Sequence, residues 1–379
     1  MTTRVGTLGS SRRALVDTRG RVTPEGARFD LDWWIGGEDR RHLPAEEASV
    51  RQRRVGTAPV FETAMRVPSG DAIQRVYGAG GPADVVVVEI ENASPVPFAA
   101  GLVVRGRAGR REPRTAVVGN WLHVDGRPVV RLPRPPLRRE GENGDALVYP
   151  VAHRTRLRFA LVLGRDRDLA SDDPGSLVGP DDVARGWEAQ LGRGMRVELP
   201  DLAFQQAVDA ARADLLLAPV DAATVAALED WGFDAEVRAA WPRLSFLARR
   251  RATRRPAVVD WDAVSASRVH GAPQFLLALR QLLVRESADG GVELVTQLPP
   301  EWVGQGIEVH DAPTRRGLVS YAVRWHGPRP ALLWECEGTG RIRAPGLDPE
   351  WSTDDPRGEA LLAPHPALAS LFPPDAGGK

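Results

Sequence analysis

Lysine is almost missing from this sequence: Lys379 is the only one, although lysine and arginine together number 50 in 379 residues. A phosphate-loop lysine, a Schiff-base lysine and a kinase-type ATP lysine all have to sit inside a fold, so these chemistries are excluded. Cysteine is as scarce. Cys336 stands alone, which rules out an internal disulfide and a cysteine-based zinc site and fits a reducing compartment. There is no surplus charge, because 50 acidic residues balance the 50 basic ones. No overall field therefore draws the chain to nucleic acid or to an anionic membrane, and neither is an expected partner. No apolar run approaches the roughly 18 residues of a membrane helix. The basic residues of Met1–Arg13 are followed by no apolar stretch, so a signal peptide is not read and cytoplasmic residence is the expectation. No G-x-S-x-G motif anchors a nucleophilic triad. Tyr77-Gly-Ala-Gly-Gly-Pro82 is glycine-rich but runs into a proline and a strand rather than a helix, so it reads as a loop and not a phosphate cradle. No cofactor is expected.

What is present is the balance of a folded protein, 42% hydrophobic and 26% charged. The length exceeds what one core supports, and two or three modules are expected. From about Ala14 to Gly164, short apolar runs are broken by Gly, Pro, Asn and Asp, as in consecutive antiparallel strands. Leu157, Phe159, Leu161 and Leu163 alternate with Arg154, Arg156 and Arg158, the period of a strand with one buried face. Asp125–Gly126 between Val117–Val124 and Val129–Leu132 is a preferred hairpin turn. The stretches Arg131–Gly144 and Asp168–Asp182 read as loops, the second leading into a short helix near Val183–Leu191.

Beyond a boundary near Gly194 the period lengthens. Phe204, Val208, Ala211 and Leu215 share a helix face behind Asp201, a candidate N-cap. Asp221 can cap Ala222–Trp231, with Gly232 as its stop, and Asp234 can cap Ala235–Trp241 before Pro242. Pro273 suits the first turn of a helix carrying Phe275, Leu279, Leu282 and Leu283 on one face. About five helices fit between Asp201 and Glu286. Strand patterning returns at Val292–Gln297, Gly306–His310, Leu318–Trp325, Ala331–Glu335 and Arg341–Arg343, with Trp302, Trp325, Trp334 and Trp351 as its expected core. The fold class read from this order is mainly β with a helical insert: a large N-terminal antiparallel β-sandwich (1–195), a short α-helical segment (196–288) and a small C-terminal β domain (289–379).

Particular segments carry a resemblance. Val197-Glu-Leu-Pro-Asp201 opens the first helix. Leu298-Pro-Pro-Glu-Trp-Val-Gly304, Tyr321-Ala-Val-Arg-Trp-His-Gly327, Pro330-Ala-Leu-Leu-Trp-Glu335 and Ala344-Pro-Gly-Leu-Asp-Pro-Glu-Trp351 follow in the terminal β region. These, with the order sandwich, helices, small β domain, resemble uncharacterised bacterial relatives of the glucoamylase-like six-hairpin glycosidases. The resemblance implies a toroid of helical hairpins, but a full one has twelve helices and residues 201–287 supply about half of them at ordinary helix lengths. The helical segment is therefore expected as an incomplete α/α toroid. Because the acid and base of that family sit on toroid loops, no catalytic residue is carried over.

Glycoside hydrolysis needs two carboxyl groups, about 5–5.5 Å apart for retention and about 6.5–9.5 Å for inversion. Glu229, Asp230, Asp234 and Glu236 beside Trp231 are the candidates, although helix ends and caps explain most of them. Trp33, Trp34 and Trp231 are candidate ligand-binding residues, since aromatic faces stack on sugar rings. Adjacent strand residues face opposite ways, so one of Trp33 and Trp34 is expected at a surface unless it covers a sheet edge. His310–Asp311 and Trp325–His326 could bring two imidazoles together, but no metal-ligand spacing accompanies them and no metal is expected. Arg249, Arg250, Arg251, Arg254 and Arg255 read as a solvated helix end. The leading expectation is a carbohydrate-binding or interaction scaffold lacking a complete catalytic toroid, a pseudoenzyme. The alternatives are an active glycoside hydrolase with a reduced cleft and a scaffold that pairs with its own copy or another chain through exposed faces of the helical segment.

Overall fold

The structure is a computed structural model that describes residues 2–80, 84–107, 111–141, 145–164, 173–254 and 260–369. The chain is mainly β with a helical insert, and its sheets are antiparallel apart from the pairing of Val292–Leu294 with Ile342–Ala344. It divides into two compact units, Met1–Glu188 and Ala189–Lys379, so the helices of 196–288 and the strands after 289 fall within one unit.

The first unit holds two eight-stranded sheets. One runs in the order Thr2–Gly6, Arg13–Asp17, Val22–Pro24, Phe29–Gly36, Phe98–Gly106, Ala146–Val151 and Arg138–Glu140, with Arg41–His42 added beside Phe29–Gly36. The other runs Thr115–Val118, Trp121–Val124, Arg127–Arg131, Arg156–Val162, Val85–Asn92, Gly70–Ala79, Phe61–Val67 and Arg51–Arg54. Side chains at every second position make the core: Phe29, Leu31, Trp33 and Ile35 meet Val86, Val88, Ile90, Leu157, Phe159 and Leu161 in one buried cluster. Each of these large side chains contributes about 1.5–3 kcal/mol on leaving water. The two sheets therefore form the expected sandwich.

Asp125 and Gly126 take φ of 48° and 77°, the left-handed pair that a two-residue hairpin turn of the mirror-image type requires. Three local expectations are corrected. Arg131–Gly144 is not all loop: Arg138–Glu140 pairs with Ala146–Val151 as an edge strand, and with three charged residues it has no apolar alternation to announce it. The glycine-rich stretch from Tyr77 is strand as far as Ala79, because Gly78 lets the Gly6 carbonyl cross at a place where a Cβ would lie 2.1 Å from that oxygen. Gly81 and Pro82 lie outside the described residues. The stretch Asp168–Asp182 is described from Asp173, which caps a 3-10 turn at Pro174–Ser176, and helix α1 starts at Pro180 (Pro180–Leu191).

The second unit contains helices α2 (Leu202–Leu216), α3 (Ala222–Asp230), α4 (Asp234–Ala240), α5 (Phe246–Ala252), α6 (Trp261–Ser267) and α7 (Ala272–Leu283). Asp201 caps α2 through bonds from the Ala203 and Phe204 amides (2.8 and 3.0 Å), and Asp221 caps α3 through Thr224 N (2.8 Å). Asp234 is not a cap: it is the first residue of α4, and the cap position, Phe233, has no side-chain bond to offer. Helices α2, α3 and α6 pack on α7. Their apolar faces, Phe204, Val208 and Leu215 on α2 and Phe275, Leu279, Leu282 and Leu283 on α7, are buried in this packing. Arg280 of α7 is 3% exposed and donates to the Asp230 and Pro313 carbonyls (3.2 and 2.6 Å) and to that of Val284, tying helix ends to a strand.

A five-stranded sheet (Arg196–Glu198, Ile307–Thr314, Gly317–His326, Arg329–Cys336, Arg357–Leu361) and a four-stranded one (Val284–Glu286, Val292–Leu294, Ile342–Ala344, Asp348–Thr353) complete the unit. Trp334 and Trp351 meet edge to face here, 5.1 Å apart, as expected of this β core. Trp302 does not belong to that group. It lies 5.7 Å from Phe204 and 5.0 Å from Trp261, in an aromatic cluster of the helices that also includes Phe275.

Candidate functional site

The tryptophans singled out as ligand platforms are packing residues. Trp33 is in the sandwich core and donates its indole N–H to the Arg19 carbonyl (3.0 Å). Trp34 points to the opposite face, as adjacency demands, but it is only 4% exposed. Its ring lies across Gly101 of the neighbouring strand, so closely that a Cβ there would be 2.1 Å from Cε2, and the Arg41 guanidinium covers the other side 4.1 Å from the ring centre. Arg41 is in turn held by Glu140 (2.6 Å) on the edge strand that the sequence hid. Trp231 is fully buried and donates to the Leu276 carbonyl (2.9 Å). None of the three presents an open ring to a sugar.

The acidic candidates lie at or near helix ends. Glu229 is exposed and Asp230 half-buried at the end of α3, with the Asp230 carbonyl taken by Arg280. Asp234 is exposed in the first turn of α4, and Glu236 accepts from the Gln190 amide (2.7 Å). The lone thiol is no nucleophile: burial first, then the neighbouring Glu335 carboxylate, push Cys336 up to about 11 and keep it protonated.

The histidine expectation changes partners. The register sets Val309 against Tyr321 and Ile307 against Val323, which leaves His326 at the far end of its strand from His310. His310 instead meets Glu308, two residues along the same strand face, and Glu198, which the register places directly opposite Glu308. One ligand atom of each lies within 4.8 Å of the others. One nitrogen and two carboxylates are a donor set that suits zinc and similar ions. However, Arg324 already pairs with Glu308, and Glu198 is exposed. The Glu-x-His spacing on a strand was the only sign of this group in the sequence, since Glu198 comes from far upstream.

A cleft that no motif announced opens in the sandwich unit. Its volume is about 590 Å³, within the usual span of ligand pockets, roughly 300–1,000 Å³. It is formed where the turn 24–29 of one sheet meets the hairpin 124–129 and the end of strand Arg156–Val162 of the other. Phe29, Val124, Val129, Leu161 and Leu163 are the apolar part of its lining, and of these Val129 and Leu163 are partly exposed. Its charged residues are Glu25, Asp125, Arg28 and Arg127, and the two acids are already engaged. Glu25 accepts from Arg4 (3.1 Å) and Asp125 from the Arg114 amide (3.0 Å). The side chains of Arg28 and Arg127 are exposed and have no hydrogen-bond or ion-pair partner among the described residues. The hairpin turn legible at Asp125–Gly126 sets Arg127 at the lip, while Gly26, at φ 77° with nothing within 4 Å of its Cβ position, keeps the opposite lip open.

Compared with known proteins, the chain matches no protein-family model and no curated protein.

Proposed function

We propose that this chain is a carbohydrate-binding scaffold without hydrolytic activity, related in layout to the six-hairpin glycosidases, and that the open end of its N-terminal sandwich holds the ligand. The observation that carries the reading is the 590 Å³ cleft, with partly apolar walls and a rim of charged residues on turns. Loops clustered at one end of a rigid sandwich are a common site of recognition. The placement of Glu229, Asp230, Asp234 and Glu236 at or near helix ends, with Glu229 and Asp234 exposed and Glu236 engaged by Gln190, weighs against the alternative of an active hydrolase. So does the burial of the helical faces against one another, which favours a closed helical layer over the wall of a catalytic ring. A thermal-shift screen with a panel of oligosaccharides tests the reading. At least one saccharide should raise the melting temperature, protect amides in 24–29 and 124–129 from exchange, and be recovered uncleaved. Release of reducing sugar would favour the hydrolase, and a panel without a single shift would end the carbohydrate reading.

A second reading has one observation in its favour. Phe246 and Leu247, adjacent on α5, are 72% and 66% exposed, an apolar pair that self-association would cover. Light scattering separates the two: a dimer that Leu247→Asp converts to monomer supports association through this helix, and a monomer at high concentration rejects it.

A further inference from the structure

The charge balance of the cleft narrows the ligand. Elsewhere in the sandwich unit, the fully buried Glu89 is matched by Arg75 (3.1 Å) and Arg158 (2.6 Å). Around the cleft Arg107 lies 3.9 Å from Asp30, and Arg4 answers Glu25. Arg28 and Arg127 stand out because they reach the same cavity from opposite sheets with no ion pair among the described residues, while of the lining acids Glu25 is paired with Arg4 and Asp125 accepts the Arg114 backbone amide. A guanidinium presents parallel N–H donors matched to the two oxygens of a carboxylate, and two of them at one rim favour an anion over a neutral hydroxyl. In the same lining Val129 and Leu163 offer partly exposed aliphatic side chains, a surface for the C–H face of a ring rather than for a fully hydrated ion. A pyranose ring with a carboxylate at its edge meets both demands.

We infer that the cleft takes an acidic saccharide, a uronate unit whose carboxylate is held by Arg28 and Arg127 while its ring lies against Val129 and Leu163. The inference rests on the carbohydrate-binding reading above and adds the charge of the ligand to it. Binding of this kind weakens with salt, because both guanidinium groups are exposed and screened by counterions.

Calorimetric titration of the full chain with a short oligogalacturonate, the neutral cello-oligosaccharide of equal length and octanoate tests it. The oligogalacturonate should bind, the neutral sugar at least about tenfold more weakly, and Arg28→Gln and Arg127→Gln should each weaken oligogalacturonate binding by about tenfold or more, the order a charge-assisted hydrogen bond contributes. Arg238→Gln, an exposed change on α4, should leave it unaltered. Both cleft residues are at the surface, so unchanged melting temperatures will separate lost binding from lost folding. Equal binding of the neutral sugar, or binding indifferent to both cleft variants, overturns the inference while leaving a carbohydrate-binding protein. Binding of octanoate alone overturns inference and reading together in favour of an amphipathic acid, and no binding by any saccharide removes both.

Discussion

Glu89 has no exposed surface, and its carboxylate is held by Arg75 and Arg158, with Arg156 at 3.9 Å. Arg158 also donates to the Gly175 and Leu177 carbonyls (3.2 and 2.8 Å), so one buried acid fixes both a sheet face and the segment that follows the last strand. Removing one partner of a buried pair strands the others, and Glu89→Gln should cost about 3–5 kcal/mol in denaturant unfolding. A loss under about 1 kcal/mol would mean that water already reaches the arginines. Glu47 behaves differently with pH. Arg40, 2.5 Å away, and then His42, at 3.0 Å, hold its carboxyl below the ordinary range. A group whose folded pKa is depressed lends stability above its unfolded pKa, about 4.3, and withdraws it as pH falls towards the folded one. Amides of 43–47 should therefore lose exchange protection as the pH drops below about 4.5, and in Glu47→Gln that acid-dependent loss should vanish.

The strands show how far a pattern can be read and where it stops. Leu157, Phe159 and Leu161 announced a strand because alternate positions meet one core, and Asp125–Gly126 announced a turn because its backbone needs left-handed angles. Arg138–Glu140 could not be seen, since an edge strand with both faces wet leaves no periodic mark. The same gap limits the reading of Trp34: adjacency gave its direction, but the Arg41 and Glu140 that cover it arrive through pairings distant in sequence. Gly78 is the element-scale position most open to test. Thr2–Gly6 crosses its strand so tightly that any Cβ meets backbone, an atom that cannot rotate away. Gly78→Ala should lower the melting temperature by several degrees, as a loss of about 1–3 kcal/mol does in overpacked sites, and should expose the amides of Thr2–Gly6 to exchange. Gly119→Ala, with nothing within 4 Å but a φ of 57°, should cost less.

At the scale of the molecule, composition and period sufficed for a mainly β chain with a helical insert, and the helix caps Asp201 and Asp221 were legible as short-range chemistry. The cleft was not, because Arg28 and Arg127 come from separate sheets and share no spacing that a linear reading can detect. Binding at that cleft adds its free energy to the folded state, so a saccharide present at about 100 times its dissociation constant should stabilise the protein by about 2.7 kcal/mol, measurable in denaturant unfolding of the full chain. The single thiol makes such measurements simple to follow. With Cys336 half-buried and its pKa raised, thiol-directed dyes have little to attack at neutral pH. A cysteine introduced at the open lip, as in Gly26→Cys, would cost some strain at its φ of 77° but would be a fast-reacting thiol, and a fluorophore placed there would report occupancy of the cleft directly.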